Sequence, residues 1–198
     1  MSQYSRGVET YNNIIQHAME LFSEKGYDET SVADICQSAQ VSKGAFYHHF
    51  PSKQDLFLAL MSTWLEKLDE LFMSADSAAD DVPAALEEMA QYTGSLFAEL
   101  KRGFPIILEF WRQASRDPEI WERAIAPYRR FFKFFSKLFQ SGIDDGVFSE
   151  DLNPELAAHN LMAVVMGLLL QASFDPDGAN WQDTTIFGIK QFIKSIRR

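Results

Sequence analysis

Apolar residues recur along almost the whole chain at the i, i+3, i+4, i+7 spacing that buries one helix face, and no segment alternates over a strand's length. The pattern predicts an all-α fold of about nine helices. Tyr11, Ile14, Ile15, Ala18, Leu21 and Phe22 form the first stripe, and Gly26 follows where a left-handed residue ends a helix, so a first helix is expected over about 8–25. Thr30 and Ser31 stand at the start of a second, in which Ser31 and Asp34 make a capping-box pair just ahead of Val32, Ile35, Cys36 and Ala39. Ser42 caps a third short helix reaching His48, which Pro51 stops. Ser52 and Asp55 form another capping box and open a long helix to about Met73. Its apolar residues cover more than one face, so it needs two packing partners. The small, acidic stretch 74–81 reads as a loop. Five further helices are expected at about 83–101, 105–115, 118–141, 154–173 and 181–197. Asp117-Pro118 and Asn153-Pro154 mark two of their starts, each with a capping residue ahead of a proline at the first helical position.

Two short helices joined by a tight turn are the layout of a helix-turn-helix, whose second helix enters the DNA major groove. On pattern alone a plain bundle with short connectors fits equally well. Residues 30–57, TSVADICQSAQVSKGAFYHHFPSKQDLF, resemble the DNA-binding signature of the tetracycline-repressor (TetR) family, above all in VSKGAFYHHF followed by PSKQDLF. The resemblance implies a three-helix DNA-binding domain at 1–52 and a ligand-binding and dimerisation domain at 53–198. It makes Ser42 to His48 the recognition helix, with Lys43, Gly44, Ala45, Tyr47 and His48 facing DNA and Phe46 and Phe50 in the core. It also assigns Thr30 and Lys53 to phosphates, consistent with the free N–H groups and positive dipole end of a helix N-terminus. Gln40 departs from the glycine common in the family before the turn, which makes left-handed geometry less comfortable there. Cys36 replaces a common small residue and reads as a buried small hydrophobe.

Charge sharpens this picture. The chain has 198 residues and a net charge of −10, so no broad basic surface is available for sequence-independent DNA binding. Residues 1–55 hold four basic side chains against seven acidic ones, so any DNA contact must come from placement, with Lys43 and Lys53 at its edge. The lone cysteine excludes an internal disulfide framework. The N-terminus has no apolar export segment, and the longest apolar run, Leu161 to Leu170, is half of the ~20 residues a membrane span needs; the expectation is a cytoplasmic protein without a membrane segment. His48 and His49 are adjacent, pointing about 100° apart on a helix, so no metal site is expected, and no cofactor motif occurs. No nucleophile elbow, phosphate loop or zinc signature suggests an enzyme.

The C-terminal part is dense in aromatic and methionine residues, which singly read as core. The resemblance implies a pocket among these helices, with Met89, Phe110, Trp111, Tyr128, Phe131, His159 and Met162 as candidates for holding a small lipophilic effector. The 154–173 helix is apolar nearly all round and the last helix adds a further stripe, more apolar surface than one molecule's core can cover. The resemblance implies a homodimer through these two helices, with Val165, Leu168, Leu169, Ile189 and Phe192 in the interface. The expected function is ligand-responsive repression: a homodimer binds a palindromic operator in double-stranded DNA and is released by an inducer. The alternative is a lipophile carrier whose DNA-binding module is weak.

Overall fold

In a computed structural model the chain is described at residues 3–78 and 81–198, apart from the side chains of 3–6, 64, 67, 76–78 and 93–103. The fold is all-α: α1 (Gln3–Lys25), α2 (Val32–Ser38), α3 (Lys43–His49), α4 (Lys53–Ala78), α5 (Val82–Ala114), α6 (Pro118–Asp144), α7 (Pro154–Phe174) and α8 (Trp181–Ile196). Among the described residues the only strand-like feature is an isolated bridge between Phe148 and Arg197.

Helix starts follow the capping residues. Ser31 and Asp34 bond reciprocally at the head of α2, Ser52 accepts from the Asp55 amide at 3.0 Å, and Asn153 accepts from the amides of Glu155 and Leu156, both at 3.0 Å. At the end of α1, Gly26 takes φ +84°, and its N–H closes on Phe22 O at 3.0 Å. Two boundaries differ from expectation. α4 runs through residues 74–78 to Ala78, because small residues such as alanine favour a helix whenever packing extends it that far. The helices expected at 83–101 and 105–115 are one continuous α5 with Pro105 inside it. Proline deprives the helix of one hydrogen bond, but Phe104 and Ile106 on either side are both buried, so packing holds the segment helical.

The chain forms two compact units. One comprises Met1–Leu65 with Ile106–Ala124, the other Glu66–Pro105 with Ile125–Arg198. The expected division between 52 and 53 falls inside the first of these. The core of the first unit gathers Ile14, Phe22, Tyr27, Ile35, Phe46, Phe50, Leu56, Phe57 and Phe110. Phe110 of α5 stacks on Phe57 at 4.3 Å and meets Tyr27 edge-on at 5.4 Å, so the inserted segment 106–124 contributes to this core as fully as α1 does. In the second unit Phe72 packs against Phe131 and Phe135 at 5.8 and 5.6 Å, and α7 packs along α8.

α7 is long and apolar enough, by length and composition, to cross a membrane. Its buried residues are Ala157, Ala158, Leu161, Leu169 and Ala172, one helical face. Apolar residues also occupy the opposite face, where Leu156 and Phe174 are exposed.

α6 ends in a turn built on two glycines. Gly142 O accepts from the Val147 and Phe148 amides at 2.9 and 3.0 Å, and Gly146 takes φ +71°. A Cβ at position 142 would lie 2.5 Å from Cδ2 of Phe148, a ring with no exposure and no room to retreat. Gly142→Ala is therefore expected to lower stability by about 1–3 kcal/mol through overpacking, against the gain of up to about 1 kcal/mol that alanine ordinarily brings to a helix. Urea denaturation checks this, and an unchanged or higher midpoint would contradict it.

Candidate nucleic-acid interface

α3 has only seven residues, too few to be stable alone, and its orientation comes from what it buries. Phe46 has no exposed surface and Phe50, four residues on, has 2%. Phe50 stacks on Tyr11 of α1 at 4.9 Å and lies 5.8 Å from Phe46. With positions 46 and 50 turned inward, helical periodicity turns 44 and 48 to the opposite side and 47 to the flank, while 43, on the side of the buried pair, is left exposed as the first residue of the helix. Lys43, Gly44, Tyr47 and His48 are exposed, Tyr47 by 52%, while Ala45 is half-buried. Ser42 caps the helix, accepting from the Ala45 amide at 3.1 Å. The exposed face thus combines one cation, a phenol, an imidazole and a glycine that lets backbone approach closely, a set suited to phosphates and base edges. The His48 and His49 rings lie 5.1 Å apart, and His49 turns towards Tyr11. Among the described residues no three potential ligands come together as a metal site.

The turn between α2 and α3 is a complete Schellman motif. The Val41 N–H donates to Cys36 O at 2.9 Å and the Gln40 N–H to Gln37 O at 3.3 Å, with Gln40 at φ +54°. The family's usual glycine is missing, yet the turn keeps its hydrogen bonds and the strain stays at Gln40, the one non-glycine residue with positive φ among those described. Cys36 is buried behind this turn. Burial pushes its thiol pKa up, against the pull of Lys43, so it stays a protonated small hydrophobe.

The two expected phosphate ligands are placed otherwise. Thr30 is fully buried, and its hydroxyl donates to Gly26 O at 2.8 Å; the exposed capping residue of α2 is Ser31. The Lys53 ammonium donates to Tyr27 O at 2.7 Å and to Thr30 O at 2.9 Å and stands 4.2 Å from the Tyr27 ring centre. Burial lowers its pKa, opposed by Asp28 and Glu109. Thr30 and Lys53 thus hold the loop between α1 and α2, because their polar ends are satisfied by helix and loop carbonyls within the fold.

Several carboxylates of the N-terminal region are matched locally. Asp28 pairs with Arg112 at 2.8 Å and Asp55 with Arg123 at 2.7 Å. Burial acts to raise the Asp55 pKa, but hydrogen bonds from Ser52 and Arg123 outweigh it and hold the carboxyl below its usual range. Asp34 is lowered by its hydrogen bonds from Ser31. Sequence reasoning missed Glu109, Arg112 and Arg123 as parts of this unit. Nothing local marks them, since their partners lie roughly 70 to 80 positions away.

The effector candidates divide between the two units. Phe110 and Trp111 belong to the first unit, where Phe110 is fully buried core and Trp111 is half-buried with its indole N–H enclosed and without an acceptor. Met89, Tyr128, Phe131, His159 and Met162 belong to the second unit. There Met89 and Phe131 are buried, Tyr128 and Met162 half-buried, and His159 is exposed with its ring 4.2 Å from Phe132. Periodicity marks the apolar candidates as inward-facing but does not say into which core. The side chains of residues 93–103 of α5 lie outside those described.

The dimer candidates also divide. Leu169 and Ile189 are 7% and 4% exposed, packed within their own chain, so they are corrected from interface to core. Phe192 is half-buried against Phe139 at 6.0 Å, and Val165 and Leu168 are half-buried. Residues left uncovered are Leu156, Phe174 and Phe187, at 60%, 77% and 63%.

The helical fold and the face that α3 presents define a helix-turn-helix DNA-binding regulator. Two family models match, "Bacterial regulatory proteins, tetR family" over residues 14–60 and "BetI-type transcriptional repressor, C-terminal" over residues 98–185. The transcriptional regulator UidR of Escherichia coli K12 is 24% identical over 160 residues, covering 81% of this chain and 80% of UidR. A TetR-family regulator structure from Agrobacterium tumefaciens superposes with TM-score 0.78 at 23% identity, covering 97% of this chain and 100% of that one. A transcriptional regulator structure from Saccharomonospora viridis, in complex with choline, gives TM-score 0.77 at 21% identity, covering 96% and 99%. This chain belongs to the TetR family of transcription regulators.

The turn yields a direct test. Glycine at position 40 would relieve the left-handed strain, so Gln40→Gly is expected to raise stability by about 1 kcal/mol. Thermal unfolding measures it, and a destabilised variant would show that the Gln40 side chain contributes more than its backbone costs.

Proposed function

We infer that this regulator is a ligand-responsive repressor: a homodimer presents two α3 helices to a palindromic operator in double-stranded DNA and releases it when a small lipophilic effector binds the second unit. The observation that carries the DNA contact is the division of α3 into a buried face, Phe46 with Phe50, and an exposed one, Lys43, Gly44, Tyr47 and His48. A two-fold dimer reads two half-sites about 34–36 Å apart, which is why the operator is proposed to be palindromic. Support for the dimer is the uncovered apolar face of α7, with Leu156 and Phe174 exposed and Gly167 facing open space, together with Phe187 on α8. Support for the effector is the aromatic and methionine content of the second unit, where Phe72, Phe131, Phe135 and Met89 are buried. Acting on DNA places the protein in the cytoplasm.

Selection of duplexes from a random library by the purified protein tests the reading. A palindrome should be enriched; no enrichment even at low salt would favour the carrier alternative. Lys43→Ala and Tyr47→Ala are expected to weaken binding to the selected site at least tenfold with the dimer intact, as gel shift or fluorescence anisotropy would show. Lipophilic ring compounds and choline can then be compared as releasing agents, and release by choline alone would overturn the lipophilic assignment.

The interface has its own variants. Phe187→Arg and Gly167→Arg alter positions that are open within the chain, so light scattering should report loss of the dimer while circular dichroism still reports a helical protein. Persistence of the dimer in both variants would exclude this face.

A further inference from the structure

The loop that joins α1 to α2 is held from two sides by residues far away in sequence. Its outer amides point at α5: Glu109 accepts from the Tyr27 N–H through Oε2 and from the Asp28 N–H through Oε1, both at 2.9 Å. Its carbonyls point at α4, where the Lys53 ammonium takes Tyr27 O and Thr30 O. An anion on the N–H groups and a cation on the C=O groups make four charge-assisted hydrogen bonds on one five-residue loop, the stronger kind of hydrogen bond. Arg112, one helical turn beyond Glu109, pairs with Asp28, so α5 grips the loop at two successive positions. The loop is shaped to admit the carboxylate. At Gly26, φ +84°, a Cβ would stand 3.3 Å from Glu109 Oε2, tighter than side chains normally pack.

We propose that Glu109 and Lys53 are positioning residues for DNA binding: they clasp the Gly26–Thr30 loop and so set the pose of α2 and α3, and neither touches DNA. The path is short. Thr30 precedes Ser31, the cap of α2, and α2 leads through the Gln40 turn into α3. Freeing the loop loosens the start of α2 and lets the α3 face depart from the geometry that matches a groove. The clasp lies within the unit that contains both α3 and Ile106–Ala124. The proposal rests on α3 being the DNA-reading helix.

Amide hydrogen exchange on the full-length protein without DNA reads the clasp directly. Glu109→Ala should speed exchange at Tyr27 and Asp28 at least tenfold while the Phe46 and Phe50 amides keep their protection. Should Glu109→Ala fail to fold, Glu109→Gln, which retains one acceptor oxygen, should deprotect one of the two loop amides more than the other. Exchange at Tyr27 and Asp28 that stays at the wild-type rate in a folded variant overturns the clasp. The second arm measures affinity for the selected operator against salt, under conditions where circular dichroism shows every variant folded. Glu109→Ala and Lys53→Met should each raise Kd about tenfold and leave the slope of log K on log salt unchanged. A merely structural loss would reduce the active fraction at constant Kd, and a phosphate contact by Lys53 would lower the slope by about one unit; either result overturns the positioning role. If the wild type binds no duplex at all, the DNA reading falls and this role with it, while the exchange arm still reports whether the clasp exists.

Discussion

Burial of Phe46 and Phe50 governs much of the rest. A seven-residue helix cannot persist on its own hydrogen bonds, and two aromatic side chains, each contributing about 1.5–3 kcal/mol on burial, hold it against α1. Because these rings must face inward, residues about half a turn away, Gly44 and His48, face solvent, and the exposed face of α3 is a by-product of the core. The strained turn at Gln40 is tolerated on the same grounds. Its left-handed backbone is outweighed by the packing of Ile35, Cys36 and Ala39 on one side and Phe46 on the other.

An acidic protein can read a polyanion when its carboxylates are already committed. Asp28 and Asp55 are paired with arginines from the segment 106–124, and Asp34 is spent on the cap of α2. These pairs are partly exposed and individually contribute little to stability. Their effect is on the field: carboxylates with cations beside them repel phosphates less, leaving Lys43 and the amide end of α3 as the local attraction. The segment from α5 and α6 therefore brings the first unit both a core residue, Phe110, and its compensating charges.

α7 shows why hydrophobicity alone cannot say what a helix touches. Its buried side is made of small and medium residues, Ala157, Ala158, Leu161, Leu169 and Ala172, and the helix packs along α8. Gly188 on α8 lets the two helices lie close, since a Cβ there would meet Val164 at 3.4 Å and Leu168 at 3.7 Å. Larger side chains such as Phe174 are left on the outside. Residues of both sides look equally apolar along the chain, so Leu169 and Ile189 read as interface although they are core.

What could be read from the chain was local. Capping residues, helix-stopping glycines and the inward stripe of α3 act over three or four positions, within reach of their own backbone, and they fall where periodicity and capping chemistry put them. The motif at 30–57 spans α2, α3 and the start of α4 for the same reason. Contacts between distant segments carried no such mark. Glu109 lies 82 positions from Tyr27, and Lys53, which in sequence looks like a phosphate ligand, turns to the carbonyls of Tyr27 and Thr30 once the loop is folded beside it. Phe110 belongs to the first unit, although the linear order of the chain places it well inside the other. A buried aromatic or a charged side chain carries the same chemistry wherever it sits, and its partner is chosen by the packing of whole helices, where the energy is summed over many contacts that no single segment holds.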